Sequence, residues 1–228
     1  MRLRIQRKAF KTLLNVLLSC RCPVSERIEH TLISYYQDTE GENEIDYDTV
    51  ITIADQEGKV TVFHRLREFC SYSIDDFSSQ QVISENDIFR HFCTVFHWHG
   101  VEESLSQSYK NLIDIPSWFV SHMLLPVELT LHNGDIQAIC TGPGKDLVLK
   151  NLFLPHDISF TDGSAYCVHF AIVIAQIEQH QLELIKYHLD NIPDFRLFRD
   201  KVSQIDYQQF QRFGDYQDFC RQRYMKSF

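Results

Sequence analysis

Residues 162–189 read DGSAYCVHFAIVIAQIEQHQLELIKYHL, and the fold class turns on this stretch. Asp162-Gly163-Ser164 has the composition of a turn. Tyr166 to Ile174 is rich in β-branched and aromatic residues and too short for a free-standing helix. It predicts a strand buried on both faces, in the middle of a sheet. From Glu178 to Leu189 the apolar residues Leu182, Ile185 and Leu189 fall at helical spacing, which predicts a helix packed on that sheet.

Working outward, two hairpins are expected. Val127 to His132 and Ile136 to Cys140 flank Asn133-Gly134, a pair that tolerates positive φ at both central turn positions. Tyr47 to Ala54 and Val60 to Leu66 are β-rich runs on either side of Asp55-Gln56-Glu57-Gly58-Lys59. Between the hairpins, Ser84 with Asp87 three residues on opens a helix. Ile88, Phe89, Phe92, Val95 and Phe96 form its apolar face, and Gly100 ends it. Residues 101–125 predict a further helix, broken at Pro116 and Pro126. Ser25 can cap a helix in which Ile28, Leu32 and Tyr35 share a face. Asp194 to Phe228 has aromatic residues at helical spacings and reads as a helical appendage.

The expected architecture is α+β: a mainly antiparallel sheet with a central buried strand, packed by helices, plus the C-terminal helical appendage. Its expected divisions are a basic amphipathic helix over residues 1–24, an α+β domain over 25–193 and the extension over 194–228. The 228 residues, 44% of them hydrophobic, suffice for a substantial core.

The chain carries 22 lysines and arginines against 31 acids, a net charge of -9, which argues against nucleic acid as a partner. Arg2, Arg4, Arg7, Lys8 and Lys11 all precede the first acid, Glu26. Setting those five cations aside leaves -14 on residues 12–228. Seven scattered cysteines, an odd number with no C-x-x-C pair, suggest a reducing, cytoplasmic setting.

Phe10, Leu13, Leu14, Leu17 and Leu18 line one face of an amphipathic helix, expected to pack in the fold. Three other readings of residues 1–20 stay open. The basic start and the apolar run before Cys20 resemble a lipoprotein-type signal, and the acid-free, arginine-rich pattern suits an organellar presequence. The same residues also suit contact with a membrane surface.

No catalytic motif assembles in the sequence. His97 and His99 would point about 200° apart on a helix, so His91 to His99 predicts no metal site. Cys167 and His169 alternate on a strand face, the pattern a Cys/His hydrolase or transferase would use, but no nucleophile elbow or oxyanion loop accompanies them. Thr141 to Asp146 contains Gly144-Lys145 without phosphate-loop spacing, with an acid after the lysine, and reads as a turn. No cofactor is expected.

Asp38, Glu40, Glu42, Glu44, Asp46 and Asp48 place six acids at alternate positions in a segment poor in apolar residues, read as an exposed loop. Such a field steers and holds a basic protein surface, so these six residues are the candidate partner-binding site.

Thr161-Asp162-Gly163, Val168 to Ile174 and Glu178 to Leu189, the Leu112 to Phe119 segment around Trp118, and the Ser25 to Tyr36 helix together resemble the suppressor-of-fused-like domain family. That resemblance implies an α+β fold, a binding rather than catalytic role, and the company of immunity proteins. The expected function is a protein-binding module, of the immunity or antitoxin-inhibitor kind, acting on a basic partner.

Overall fold

A computed structural model describes residues 2–19, 26–56, 58, 61–71, 81–92, 124–141, 148–149, 152–169 and 172–191. Among these, six helices and two mostly antiparallel sheets form an α+β fold. The smaller sheet has β1 (Leu3–Gln6) at its centre, antiparallel to β2 (Glu44–Asp46) and parallel to β3 (Gln81–Ile83). The larger sheet is antiparallel throughout, in the order β6 (Val148–Leu149), β5 (Asp135–Cys140), β4 (Leu125–His132), β7 (Ala165–His169), β8 (Ile172–Gln176).

Helix α1 (Arg7–Ser19) joins the two sheets. It packs against β1, β8, α2 (Glu26–Asp38) and α5 (Glu85–Phe92). Phe10, Leu13, Leu14, Leu17 and Leu18 are all buried, so the amphipathic face lies in the protein core. Asn15 Nδ2 donates to the carbonyl of Ile174 at 3.1 Å, and Val173 N–H donates to the carbonyl of Phe153. These contacts take up two backbone groups of β8, the strand at the end of the sheet order, where unpaired groups would otherwise be exposed. No described helix is long and apolar enough to cross a membrane.

Local chemistry accounts for several elements as expected. Asn133 (φ 53°) and Gly134 (φ 91°) form the β4–β5 turn. Ser84 N–H donates to Asp87 Oδ2 while Asp87 N–H donates to Ser84 Oγ, the reciprocal capping expected at the start of α5. The helix at the end of the decisive stretch is α6 (Gln179–Asn191), opened by Glu178 N–H donating to the side chain of Gln181.

Three expectations are corrected. The hairpin over residues 47–66 is a pair of helices, α3 (Tyr47–Ala54) and α4 (Thr61–Ser71). Asp46 Oδ1 accepts from Asp48 and Thr49 N–H, and Tyr47, Val50, Ile51 and Ala54 are buried at helical spacing. Capping and packing override the strand preference of these β-branched residues. The single buried strand over residues 166–174 is two antiparallel strands. β7 is internal and β8 ends the sheet order, yet both are buried on each face. The acidic stretch 38–48 is loop only in its middle: Asp38 ends α2, Glu44 to Asp46 form β2, and Asp48 lies in the first turn of α3.

The strands β1 and β3 have no counterpart in the expectations, being only four and three residues long. The helix expected over 101–125 lies outside the described residues, apart from Leu124 and Leu125. The cluster His97 to His99, the Gly142 to Lys145 turn, and the 194–228 appendage lie wholly outside them.

Candidate functional site

The acidic segment and the basic N-terminus, read from the sequence as separate features, meet in the structure. Arg4 is registered opposite Asp46 in the β1–β2 pair. Its guanidinium reaches diagonally to the Glu44 carboxylate at 3.2 Å, bonds the Glu44 carbonyl, and lies 3.8 Å from Glu42. Arg2 takes Asp46 at 2.7 Å. Diagonal neighbours across an antiparallel pair lie within reach of long side chains, so alternation of charge with period two on both segments produces this zipper. Asp48 pairs instead with Arg67 of α4 at 3.2 Å.

The other N-terminal cations are also engaged. Arg7 Nη1 donates to the Thr39 carbonyl and hydroxyl, holding the turn after α2, and its guanidinium rests 4.0 Å from the centre of the Tyr36 ring. Lys8 pairs with the buried Glu85 at 2.6 Å, whose other oxygen accepts from Thr12. Lys11 faces Asp157 at 3.8 Å.

The six acids therefore divide into an inner and an outer set. Glu44, Asp46 and Asp48 are half-buried and ion-paired. For Asp46, burial favours the neutral acid, but the Arg2 hydrogen bond and the α3 amides outweigh it and hold the carboxyl below its ordinary value. Asp38 and Glu40 are exposed and make no ion pair among the described residues, and Glu42 is exposed with only the 3.8 Å contact to Arg4. These three acids form a rim at the C-terminal end of α2, around the Gly41 turn.

In the sequence Cys167 and His169 show the alternation a Cys/His enzyme would use, without an accompanying catalytic motif. Both are buried on β7, at 0% and 1% exposure. The ring of His169 makes a different contact: its Nδ1 lies 2.6 Å from Ser19 Oγ, at the end of α1. Ser19 Oγ also lies 2.8 Å from the Val16 carbonyl. Sequence reasoning missed Ser19 because its partner is 150 residues away, and no local spacing announces the contact. Among the described residues no group of three or more histidines, cysteines or carboxylates is arranged to hold a metal ion.

Comparison with protein-family models, with curated proteins and with solved structures finds no match for this chain.

Proposed function

We propose that this chain is a protein-binding module whose acidic rim, Asp38, Glu40 and Glu42, engages a basic surface on a partner, in the manner of an immunity or antitoxin-type inhibitor. One observation carries the reading: the N-terminal arginines are taken up by the inner acids, and the outer acids are left facing solvent. On a chain of net charge -9, such a rim steers basic surfaces and repels acidic ones. The resemblance of the Thr161 to Leu189 segment to suppressor-of-fused-like domains points the same way. We assign the protein to a reducing, cytoplasmic setting on the strength of its odd number of scattered cysteines, of which Cys70 and Cys167 are buried.

The test is capture of partners from native lysate by the tagged protein at low and high salt. The reading expects one stoichiometric basic protein, released by salt. Absence of such a protein at both salt levels counts against it.

A second reading, a hydrolase or transferase built on a histidine of the apolar body, draws on the Ser19–His169 contact. Stoichiometric labelling of Ser19 by a fluorophosphonate, or of Cys167 by iodoacetamide, in the native protein would favour it. Resistance of both side chains at neutral pH argues for a purely structural pair.

A further inference from the structure

The sequence holds one Asn-Gly pair, Asn133-Gly134, and one Asp-Gly pair, Asp162-Gly163, and both lie in turns beside β4. In either pair the glycine nitrogen can attack the preceding side-chain carbonyl carbon and close a succinimide ring, because glycine carries no side chain to block the approach. The structure treats the two pairs differently. At Gly163 the nitrogen is held: its N–H donates to the Leu129 carbonyl at 3.1 Å, while Leu129 N–H donates to the Ser164 carbonyl and Ser164 N–H to the Thr161 carbonyl. A Cβ placed on Gly163 would sit 3.9 Å from Glu128 Oε1, so this glycine also lies against β4.

Nothing comparable holds Gly134. Its N–H makes no hydrogen bond among the described residues, and a Cβ added there would meet nothing within 4 Å. Leu131, 58% exposed, begins a run of exposed residues through Asp135, so the tip of the β4–β5 hairpin extends beyond the core that covers Leu129 and Ala138. Attack requires the Asn133 backbone to leave its turn conformation, φ 53°, so that the Gly134 nitrogen reaches Cγ. That rearrangement disturbs only the last pairs of the hairpin, His132 with Asp135 and Leu131 with Ile136. Exposed segments with few buried contacts open at little cost in free energy. At Gly163 the same rearrangement would break a bond to the fully buried Leu129.

We propose that Asn133 is a site of self-modification, its side-chain amide converted to a carboxylate without an enzyme and without unfolding of the chain. The Gly134 nitrogen gives up its proton and adds to Asn133 Cγ. The Cγ–Nδ2 bond breaks, and Nδ2 takes up that proton and leaves as ammonia. Water then opens the succinimide at either carbonyl, giving an aspartyl residue or an isoaspartyl linkage in which the main chain runs through Cβ and Cγ. No oxidant or reductant is needed. Both products place a new negative charge two residues from Asp135. The isoaspartyl form also adds a methylene to the main chain of a two-residue turn, which breaks the match of His132 with Asp135. This site is separate from the acidic rim and stands or falls independently of it.

The experiment incubates the full chain, folded and in guanidinium chloride, and follows amide loss at each asparagine by peptide mass mapping at pH 8. Isoaspartate at position 162 is followed at pH 6 with an isoaspartyl methyltransferase acting on the isolated peptides. In the folded chain Asn133 is expected to keep at least about a tenth of its denatured rate, and Asp162 less than about a hundredth. Asn133 should react before every other asparagine of the folded chain. Its rate should climb about tenfold from pH 7 to pH 8, because the attacking nitrogen must first lose a proton. Conversion of Asn133 no faster than that of the other asparagines, or slowed by folding about a hundredfold, overturns the site. Equal slowing of the two pairs by folding overturns the protection assigned to the Gly163 hydrogen bond.

Discussion

Arg2 Nη2 lies 2.7 Å from Asp46 Oδ2, which ties the second residue of the chain to the side chain that caps α3. Asp46 thus serves two partners, with Oδ1 accepting from the α3 amides and Oδ2 from arginine. The two roles can be separated by substitution. Asn preserves a capping oxygen and removes the charge, whereas Ala removes both. Asp46→Ala is expected to cost about 1 kcal/mol, the usual value of a helix N-cap, and Asp46→Asn well under that, because Arg2 is largely exposed. Urea denaturation of the two variants measures the difference.

The first strand is central to its sheet. Leu3 and Ile5 are buried, and both edges of β1 are occupied. Ile5→Ala should therefore cost about 2–5 kcal/mol, the range for truncating a buried isoleucine, with a matching drop in the urea midpoint. The same placement predicts that deleting residues 2–6 abolishes cooperative unfolding, which thermal denaturation followed by circular dichroism would detect.

Stability should vary with alkaline pH in two opposing ways. Lys11, at about 8 in the folded chain against 10.5 ordinarily, binds fewer protons folded than unfolded between those values, so stability rises as pH climbs through that window. Burial pushes Cys70 up to about 12 from 9.0, and pushes Tyr47 well above its ordinary 10.0. The unfolded chain releases both protons first, so the Cys70 loss offsets the Lys11 gain once pH passes 9, and with Tyr47 added stability falls past 10. Urea midpoints between pH 7 and 11 should rise and then fall. Lys11→Met should remove the rising limb and leave the fall.

The Ser19–His169 contact ties the end of α1 to β7 in a water-excluded setting. Replacing either side chain by alanine is expected to cost about 1–3 kcal/mol, the penalty for disturbing a buried hydrogen bond. The double variant should cost less than the two singles combined, because the groups share one interaction. A double-mutant cycle in urea gives that coupling.

How much of this was readable from the sequence depends on the range of the signal. Asn133-Gly134 and the Ser84–Asp87 pair act on their own backbone, so the β4–β5 turn and the start of α5 were legible. Tyr47 to Ala54 was misread because its β-branched residues favour a strand, and the cap that decides otherwise is a single aspartate counted as part of an acidic loop. The run YCVHFAIVI holds no glycine, proline or asparagine to mark the break between β7 and β8. Of the candidate site, the six acids were legible as a charge pattern. Their division into paired and solvent-facing sets was not, because Arg2 and Arg4 reach them from about 40 residues away through the register of β1 on β2.

The central claim is that the outer acids, and not the inner ones, meet a partner. Its most direct test compares capture of the salt-sensitive partner by three proteins at low salt: the native chain, Asp38→Asn/Glu40→Gln/Glu42→Gln, and Glu44→Gln/Asp48→Asn. The account predicts that the outer triple variant loses capture while keeping its fold, and that the inner double variant retains it. Undiminished capture by the folded triple variant would contradict the account.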